Sequence, residues 1–381
     1  MNSNIPDKSK TRFVYLDNIR WLVILLVVVL HSAVTYSGLG GWYYIEGSYE
    51  RLPAFSLVFF GLMQSFIQAW SMGILFFISA YLAVKALAKR GAFNFIKERL
   101  FRLGVPLLLY VFIISPVIEF VIIRYYKENN FLKNYTMYLK KFHWLGATGP
   151  LWFVQVLLIL CVIYAVIKKF FPHGIKVETI TARSIIFTIL TTTVIAFSIR
   201  LLMPVGESFY NLQFPYFASY IIMFIAGIII GENNLLDKIS DSKNIRWILY
   251  TLIIGLPLWC FIMVFGGALD GKTYFNGGLH WQNAAFALWE SLTAIGFSTG
   301  LIALFKKRVN TDNEFTRLMR DNAFGIYFFH APILITISLT LKHWIINPLL
   351  KFIIVAAIAV FITLIFSFLI RKIKPVGMVI R

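Results

Sequence analysis

Two side chains stand where ionisable groups are costly. His31 lies inside an apolar run, residues 19–36, long enough to cross a bilayer, and Arg20 precedes it by eleven positions. An ionisable group in a membrane span costs several kcal/mol unless paired or hydrated, which makes such a residue a functional candidate. Eleven residues at about 100° each come to about 1100°, within about 20° of three full turns, so both side chains leave one helix face. The rise between them is about 16 Å; with Arg20 at a membrane boundary, His31 falls near the middle of a core about 30 Å thick. A neutral imidazole, with an ordinary pKa of about 6.5, is matched to taking a proton from an attacking group. The alternative for His31 is a packing histidine bonded to a backbone carbonyl.

The elements that must position this pair follow from composition. With 59% hydrophobic, 17% aromatic and only 14% charged residues, the 381-residue chain cannot form a soluble surface and reads as an all-α polytopic membrane protein. Apolar runs recur at residues 19–36, 55–84, 103–123, 151–167, 184–203, 216–230, 247–265, 284–305, 323–341 and 349–370, about ten transmembrane helices, of which 216–230 is the shortest. No internal repeat or long soluble segment interrupts them, so residues 1–381 form one membrane domain opened by a short segment, 1–18.

The basic residues set the expected orientation. Of the 36 Lys and Arg residues, 26 fall on the side of the N-terminus and 10 on the other, which predicts cytoplasmic termini and a cytoplasmic 1–18 segment. The formal net charge of +19 is then mostly topology signal and attraction to anionic headgroups, and is not read as nucleic-acid binding. On the outer side, Arg124, Lys127, Lys133, Lys140 and Lys141 either snorkel to lipid phosphates or meet an anionic acceptor. Lys8, Lys10 and Arg12 precede the first span as in a secretory signal, but no small-x-small cleavage site follows promptly, and an uncleaved anchor is expected. Cys161 and Cys260 lie in apolar spans and read as packing residues, with no metal site expected.

Five blocks share a pattern. Tyr15-Leu16-Asp17-Asn18-Ile19-Arg20, then ten residues, then His31, resembles the opening signature of the acyltransferase-3 family of integral membrane acyltransferases. Phe76-Phe77-Ile78-Ser79-Ala80-Tyr81-Leu82 is similar to its Phe-Phe-x-Ser-Gly-aromatic block, with Ala80 in place of the usual glycine. Arg99-Leu100-Phe101-Arg102-Leu103-Gly104-Val105-Pro106 resembles its basic stretch after the second span. Gly149-Pro150-Leu151-Trp152-Phe153 and Tyr327-Phe328-Phe329-His330-Ala331-Pro332 resemble its Leu-Trp-Phe and Tyr-x-x-His-x-Pro blocks.

The resemblance implies transfer of an acyl group, usually acetyl, from cytoplasmic acyl-coenzyme A to a hydroxyl or amine of an extracytoplasmic or lipid-linked carbohydrate. No permanently bound cofactor is implied; acyl-coenzyme A is the donor co-substrate. Under it, His31 and His330 are the catalytic candidates; the other reading of His330 is a partner for the carbonyl that Pro332 frees. Counted from the cytoplasmic ends, Tyr81 lies about 6 Å deep, Ser79 about 9 Å, His330 about 12 Å and His31 about 16 Å. Arg20, Arg99 and Arg102 form a cationic rim that either grips the donor's phosphates bidentately or serves as positive-inside anchoring. Ser79 and Tyr81 either orient the thioester carbonyl or join helices. Glu119 and Glu290, about 9 Å or less from the outer boundary, are expected to face the acceptor. Trp152 beside them either stacks on a sugar or belongs to the interfacial belt. Asp17 is expected to pair with Arg20 in support, and Tyr327 to support His330.

The competing class is a secondary transporter or exporter of an envelope glycan or glycolipid, disfavoured because the halves of the chain show no matching Gly- or Pro-broken helices. A scaffold in an envelope complex leaves His31 and Arg20 unexplained. The expected location is the cell membrane, in a prokaryotic plasma membrane, in contact with membrane lipids. The chain ends at Arg381 soon after the last span, so any extracytoplasmic partner protein that passes the group onward is expected to be a separate chain.

Overall fold

The computed structural model describes residues 13–126 and 130–379. Lys8, Lys10, Arg12 and Lys127 lie outside the described residues. In chain order the helices are α1 (Val14–Ser37), α2 (Ala54–Arg99), α3 (Val105–Leu109), α4 (Ser115–Tyr126), α5 (Phe131–Lys140), α6 (Trp152–Phe170), α7 (Ala182–Leu202), α8 (Phe217–Glu232), α9 (Leu236–Ile239), α10 (Arg246–Phe265), α11 (Trp281–Leu292), α12 (Ser298–Arg308), α13 (Glu314–Thr340), α14 (Pro348–Ile370) and α15 (Lys374–Val379). π-helical turns at Leu100–Gly104, Tyr110–Ile114 and Thr293–Phe297 join neighbouring helices.

Among the described residues nine helical runs are long and apolar enough to cross a membrane. One of them, Ala54–Tyr126, has 73 residues, roughly 110 Å of helix against a hydrocarbon core of about 30 Å. It breaks at Gly91, whose φ of 74° and ψ of 164° fit no helix and are open to glycine alone at low cost. The break divides the run into two stretches, each long enough to cross a membrane, in keeping with the ten apolar runs read from hydropathy. The helix continues to this break past residue 84, where the apolar run stops. The short run at 216–230 is covered by the helical stretch Phe214–Glu232. α13 begins well before residue 323 because Asn313 and Thr316 form a capping box: the Asn313 side chain accepts from the Thr316 N–H (2.9 Å), and the Thr316 hydroxyl accepts from the Asn313 N–H (3.0 Å).

Lipid tails are as apolar as leucine, so these helices associate by close packing and hydrogen bonds. α2 and α8 touch backbone to backbone: a Cβ at Gly227 would strike the Phe77 carbonyl and the Ala80 Cβ. Ala80, standing where the resembled block has glycine, is thus accommodated by a glycine on the facing helix. α1, α13 and α14 form a second packed group around Val28, Tyr36, Ile326, Leu334 and Phe352. Asn18 fixes the start of α1 by donating to the carbonyls of Val309 (2.7 Å) and Thr311 (3.3 Å), just before α13. α5, inside the loop that follows α4, was not legible in the hydropathy. It holds the π turn at 110–114, where Tyr138 and Tyr135 hydroxyls donate to the carbonyls of Val111 (2.6 Å) and Phe112 (3.2 Å).

The segment after α1 folds back over the end of that helix. Its Glu46 and Gly47 N–H groups donate to the Thr35 carbonyl at 2.8 and 3.0 Å. Lys351 of α14, 2% exposed, pairs with Glu46 at 2.5 Å, and Gln64 donates to the Ser37 hydroxyl at 2.8 Å. This strap carries Trp42 and Tyr43 onto the site.

Candidate active site

α1 is unbroken from Val14 to Ser37, so Arg20 and His31 keep their common face and their separation of about 16 Å. α13 lies beside it, and the two histidines meet across the seam. His31 Nδ1 and His330 Nε2 are 3.0 Å apart, and His330 Nδ1 is 2.7 Å from the Tyr327 carbonyl oxygen. A carbonyl only accepts, so His330 Nδ1 carries the proton that meets it. In the neutral ring His330 Nε2 is then an acceptor, and His31 Nδ1 donates to it. The remaining nitrogen, His31 Nε2, keeps its lone pair and has no hydrogen-bond partner among the described residues. His330 is fully buried, whereas His31 is partly exposed, so of the two rings only His31 keeps exposed surface.

Pro332 frees the carbonyl of Phe328, four residues before it, not that of Tyr327. His330 therefore bonds a different carbonyl from the one the proline releases, and its second nitrogen remains for His31. Tyr327 is itself held: its hydroxyl donates to the Pro150 carbonyl, which anchors α13 to the Gly149-Pro150-Leu151 turn.

Trp42 covers the pair. Its ring is stacked on His31 with centroids 3.8 Å apart and 14° between planes, and is 6.1 Å and 14° from His330. The two imidazoles are within 15° of coplanar, so one indole face lies parallel to both. Beside it the Tyr43 and Tyr110 hydroxyls lie 3.5 Å apart. Burial pushes the Tyr43 hydroxyl above its ordinary range, and it stays a neutral donor. Gly149 has a φ of +47°, and a Cβ there would come within 2.9 Å of the Tyr110 ring and strike the Tyr43 hydroxyl. The turn that receives Tyr327 thus needs glycine for both its conformation and its closeness.

The structure sorts the remaining candidates. Arg20 is 47% exposed and bound by Asp17 at 3.3 Å, as their spacing predicts. Arg20, Arg90 and Arg102 lie within electrostatic reach of Arg99. Arg102 pairs with Glu98 at 3.1 Å, and Arg90 pairs with the same carboxylate. Arg99 lies over the Phe95 ring at 5.0 Å, with a buried Nε that has no acceptor among the described residues. The three expected arginines therefore do gather at one end of the bundle. Tyr81 is buried at that end, 5.5 Å edge-on from Phe13 with the Lys85 ammonium 5.0 Å from its ring, and Ser79 is partly exposed two residues before it.

On the other side, Glu119 is half-buried within electrostatic reach of Tyr43 and Tyr138. Trp152 is half-buried with one face on Tyr220, centroids 5.4 Å apart, and Tyr220 accepts from Gln68 at 2.9 Å. The expectation for Glu290 is corrected. It is 4% exposed, and its carboxylate is taken by Arg200, itself fully buried between Tyr216 and Phe286. An intramembrane carboxylate needs a cation, and Arg200 supplies it. Trp42, Tyr43 and Tyr110 went unrecognised: an aromatic residue in or near an apolar span reads as a packing or belt residue, and only the strap's return places the Trp42 ring on His31 and the Tyr43 hydroxyl beside that of Tyr110.

The site and its helices define a multi-pass membrane protein with a hydrogen-bonded histidine pair inside the helical bundle and a basic rim at one end. Residues 13–372 match the acyltransferase-3 family, described as an acyltransferase domain, and the chain belongs to that family. Searches of curated proteins and of solved structures returned no match.

Proposed function

We propose that the protein transfers an acyl group, acetyl in the first instance, from cytoplasmic acyl-coenzyme A to a hydroxyl or amine of an extracytoplasmic or lipid-linked carbohydrate. The observation that carries this reading is the chain from the Tyr327 carbonyl through His330 to His31, which leaves His31 Nε2 as an oriented, partly exposed base. Family membership supplies the reaction class.

In the proposed reaction the acceptor's hydroxyl gives its proton to His31 Nε2 as its oxygen attacks the thioester carbonyl carbon. The resulting imidazolium keeps its Nδ1–H on His330 Nε2, and His330 keeps its own proton on the Tyr327 carbonyl. The carbon–sulfur bond then breaks, and the departing thiolate takes the proton from His31. His330 acts through His31 in this scheme, as a positioning residue. Trp42 lies parallel to both rings and covers one face of His31 against water. The arginines at the α1 end suit the donor's phosphates, since guanidinium forks bind phosphate oxygens bidentately. Glu119 and Trp152 lie on the side from which the acceptor would come.

The test is acyl transfer from radiolabelled acetyl-coenzyme A by membranes carrying His31→Ala, with insertion checked by detergent extraction. Loss of a general base lowers the rate about 10²- to 10⁴-fold. Native activity in that variant overturns the assignment. Mass spectrometry of surface glycan separates this reading from export: loss of an acyl mass on gene deletion supports transfer, and loss of the whole glycan supports export.

A further inference from the structure

At the end of the bundle that carries the start of α1, the last turn of α14 and the first turns of α13 border an open cleft of about 250 Å³. Leu318, Asp321, Asn322, Phe368, Arg371 and Lys372 line it. Its floor is fixed, because the Ser367 hydroxyl donates to the Asn322 carbonyl at 3.1 Å and tied helices cannot part there freely. Its charge is unbalanced. Asp321 is paired with Arg320 at 3.2 Å, and Arg320 also reaches Asp312 at 2.8 Å. Arg371 and Lys372 pair with no carboxylate among the described residues, and the Arg371 Nε is buried without an acceptor. Two cations, one of them with an orphaned Nε–H, thus border a cleft whose one carboxylate is already paired.

The apolar approach to this cleft has a direction. Phe361, Ile365 and Phe368 are 64%, 42% and 44% exposed, and they follow one another at the i, i+4, i+7 spacing of a single helix face. Lys372 continues that stripe eleven residues after Phe361, three turns along. An exposed apolar stripe on a membrane helix faces acyl chains, and here it ends in a cation at the rim of the cleft. The pattern of apolar rail and cationic head is complementary to one molecule of anionic phospholipid.

We propose that this cleft is a binding site for the phosphate of an anionic phospholipid headgroup, with Arg371 and Lys372 as its cations and an acyl chain lying along Phe361, Ile365 and Phe368. The site is separate from the histidine pair and does not depend on the acyl-transfer chemistry. The same phosphate chemistry is offered by free phosphate and by coenzyme A, and the experiment separates these sources.

Purified full-length protein in detergent micelles is titrated with phosphatidylglycerol or phosphatidylcholine, and bound lipid is counted by native mass spectrometry. At about one basic residue's attraction each, two cations predict about a thirtyfold preference for phosphatidylglycerol at one site. Arg371→Ala/Lys372→Ala is expected to reduce that preference to a few-fold, with the melting temperature in detergent showing that the variant is folded. Equal retention of the two lipids by the native protein overturns the proposal, and this comparison stands even where the double variant fails to fold. Undiminished preference in a folded double variant also overturns it. So does displacement of phosphatidylglycerol by inorganic phosphate or coenzyme A at concentrations that occupy the site, because the ligand is then a free phosphate.

Discussion

Replacing His330 separates a positioning role from simple packing. In His330→Leu the volume is roughly kept, but His31 Nδ1–H loses the acceptor that lies 3.0 Å away. A buried donor left without a partner costs about 1–3 kcal/mol, and the ring is also released to its other tautomer, in which Nε2 carries the proton and cannot act as a base. If that cost is felt in the transition state, kcat falls roughly 5-fold to 150-fold, at about 1.4 kcal/mol per decade. The loss stays smaller than that of His31→Ala because the base itself remains. His330→Gln offers an amide oxygen to His31 and an amide N–H to the Tyr327 carbonyl, so its kcat is expected to lie between the leucine variant and the native protein. The assay is initial-rate transfer of radiolabel from acetyl-coenzyme A into membrane material, with enzyme quantified after detergent extraction. The donor KM is expected to stay within about twofold in both variants, since a group acting only on the base leaves ground-state binding alone. Native kcat in His330→Leu refutes the reasoning. So does an equal loss in His330→Leu and His330→Gln when both extract as folded protein, because a packing role makes no distinction by acceptor.

Three further outcomes follow from the same geometry. Trp42→Ala removes the ring stacked 3.8 Å from His31 and is expected to lower kcat about 3- to 10-fold, while Trp42→Phe keeps most of the stacking and most of the rate; initial rates check both. Gly149→Ala places a methyl against Tyr110 at a φ of +47° and is expected to cost about 1–3 kcal/mol, read as a lower melting temperature in detergent, with activity falling as Tyr327 loses its seat. Glu290→Leu alone strands Arg200 and is expected to destabilise by about 3–5 kcal/mol, whereas Arg200→Leu/Glu290→Leu recovers most of that loss; thermal unfolding of the two variants measures the difference.

Much of the architecture was legible because a bilayer leaves few choices. Long apolar runs must be helices to satisfy their own backbone, and even the 73-residue run could be divided by its length and its basic middle. The helix period placed Arg20 and His31 on one face, and depth counting from the span ends put His31 and His330 about 4 Å apart in level, close enough to ask whether they meet. Asp17 beside Arg20 needed only the rule that residues three apart on a helix are neighbours. α5 escaped because its mixed polar and apolar face is not a membrane signal, and the strap escaped because nothing local to residues 38–53 says which helix end they return to.

The sequence by itself determined the membrane class, the number of passes and which side chains would be costly enough in lipid to require a reason. Tertiary structure alone decided the partners: that His31 meets His330, that Tyr327 is held by the Pro150 carbonyl, that Trp42 lies across both imidazoles, and that Glu290 belongs to Arg200. The physical reason is range. Helix periodicity and hydropathy act within a few turns of one segment, whereas a hydrogen bond between residues 299 positions apart is set by which helices pack together, and that choice rests on small residues, caps and close contacts spread over the whole chain.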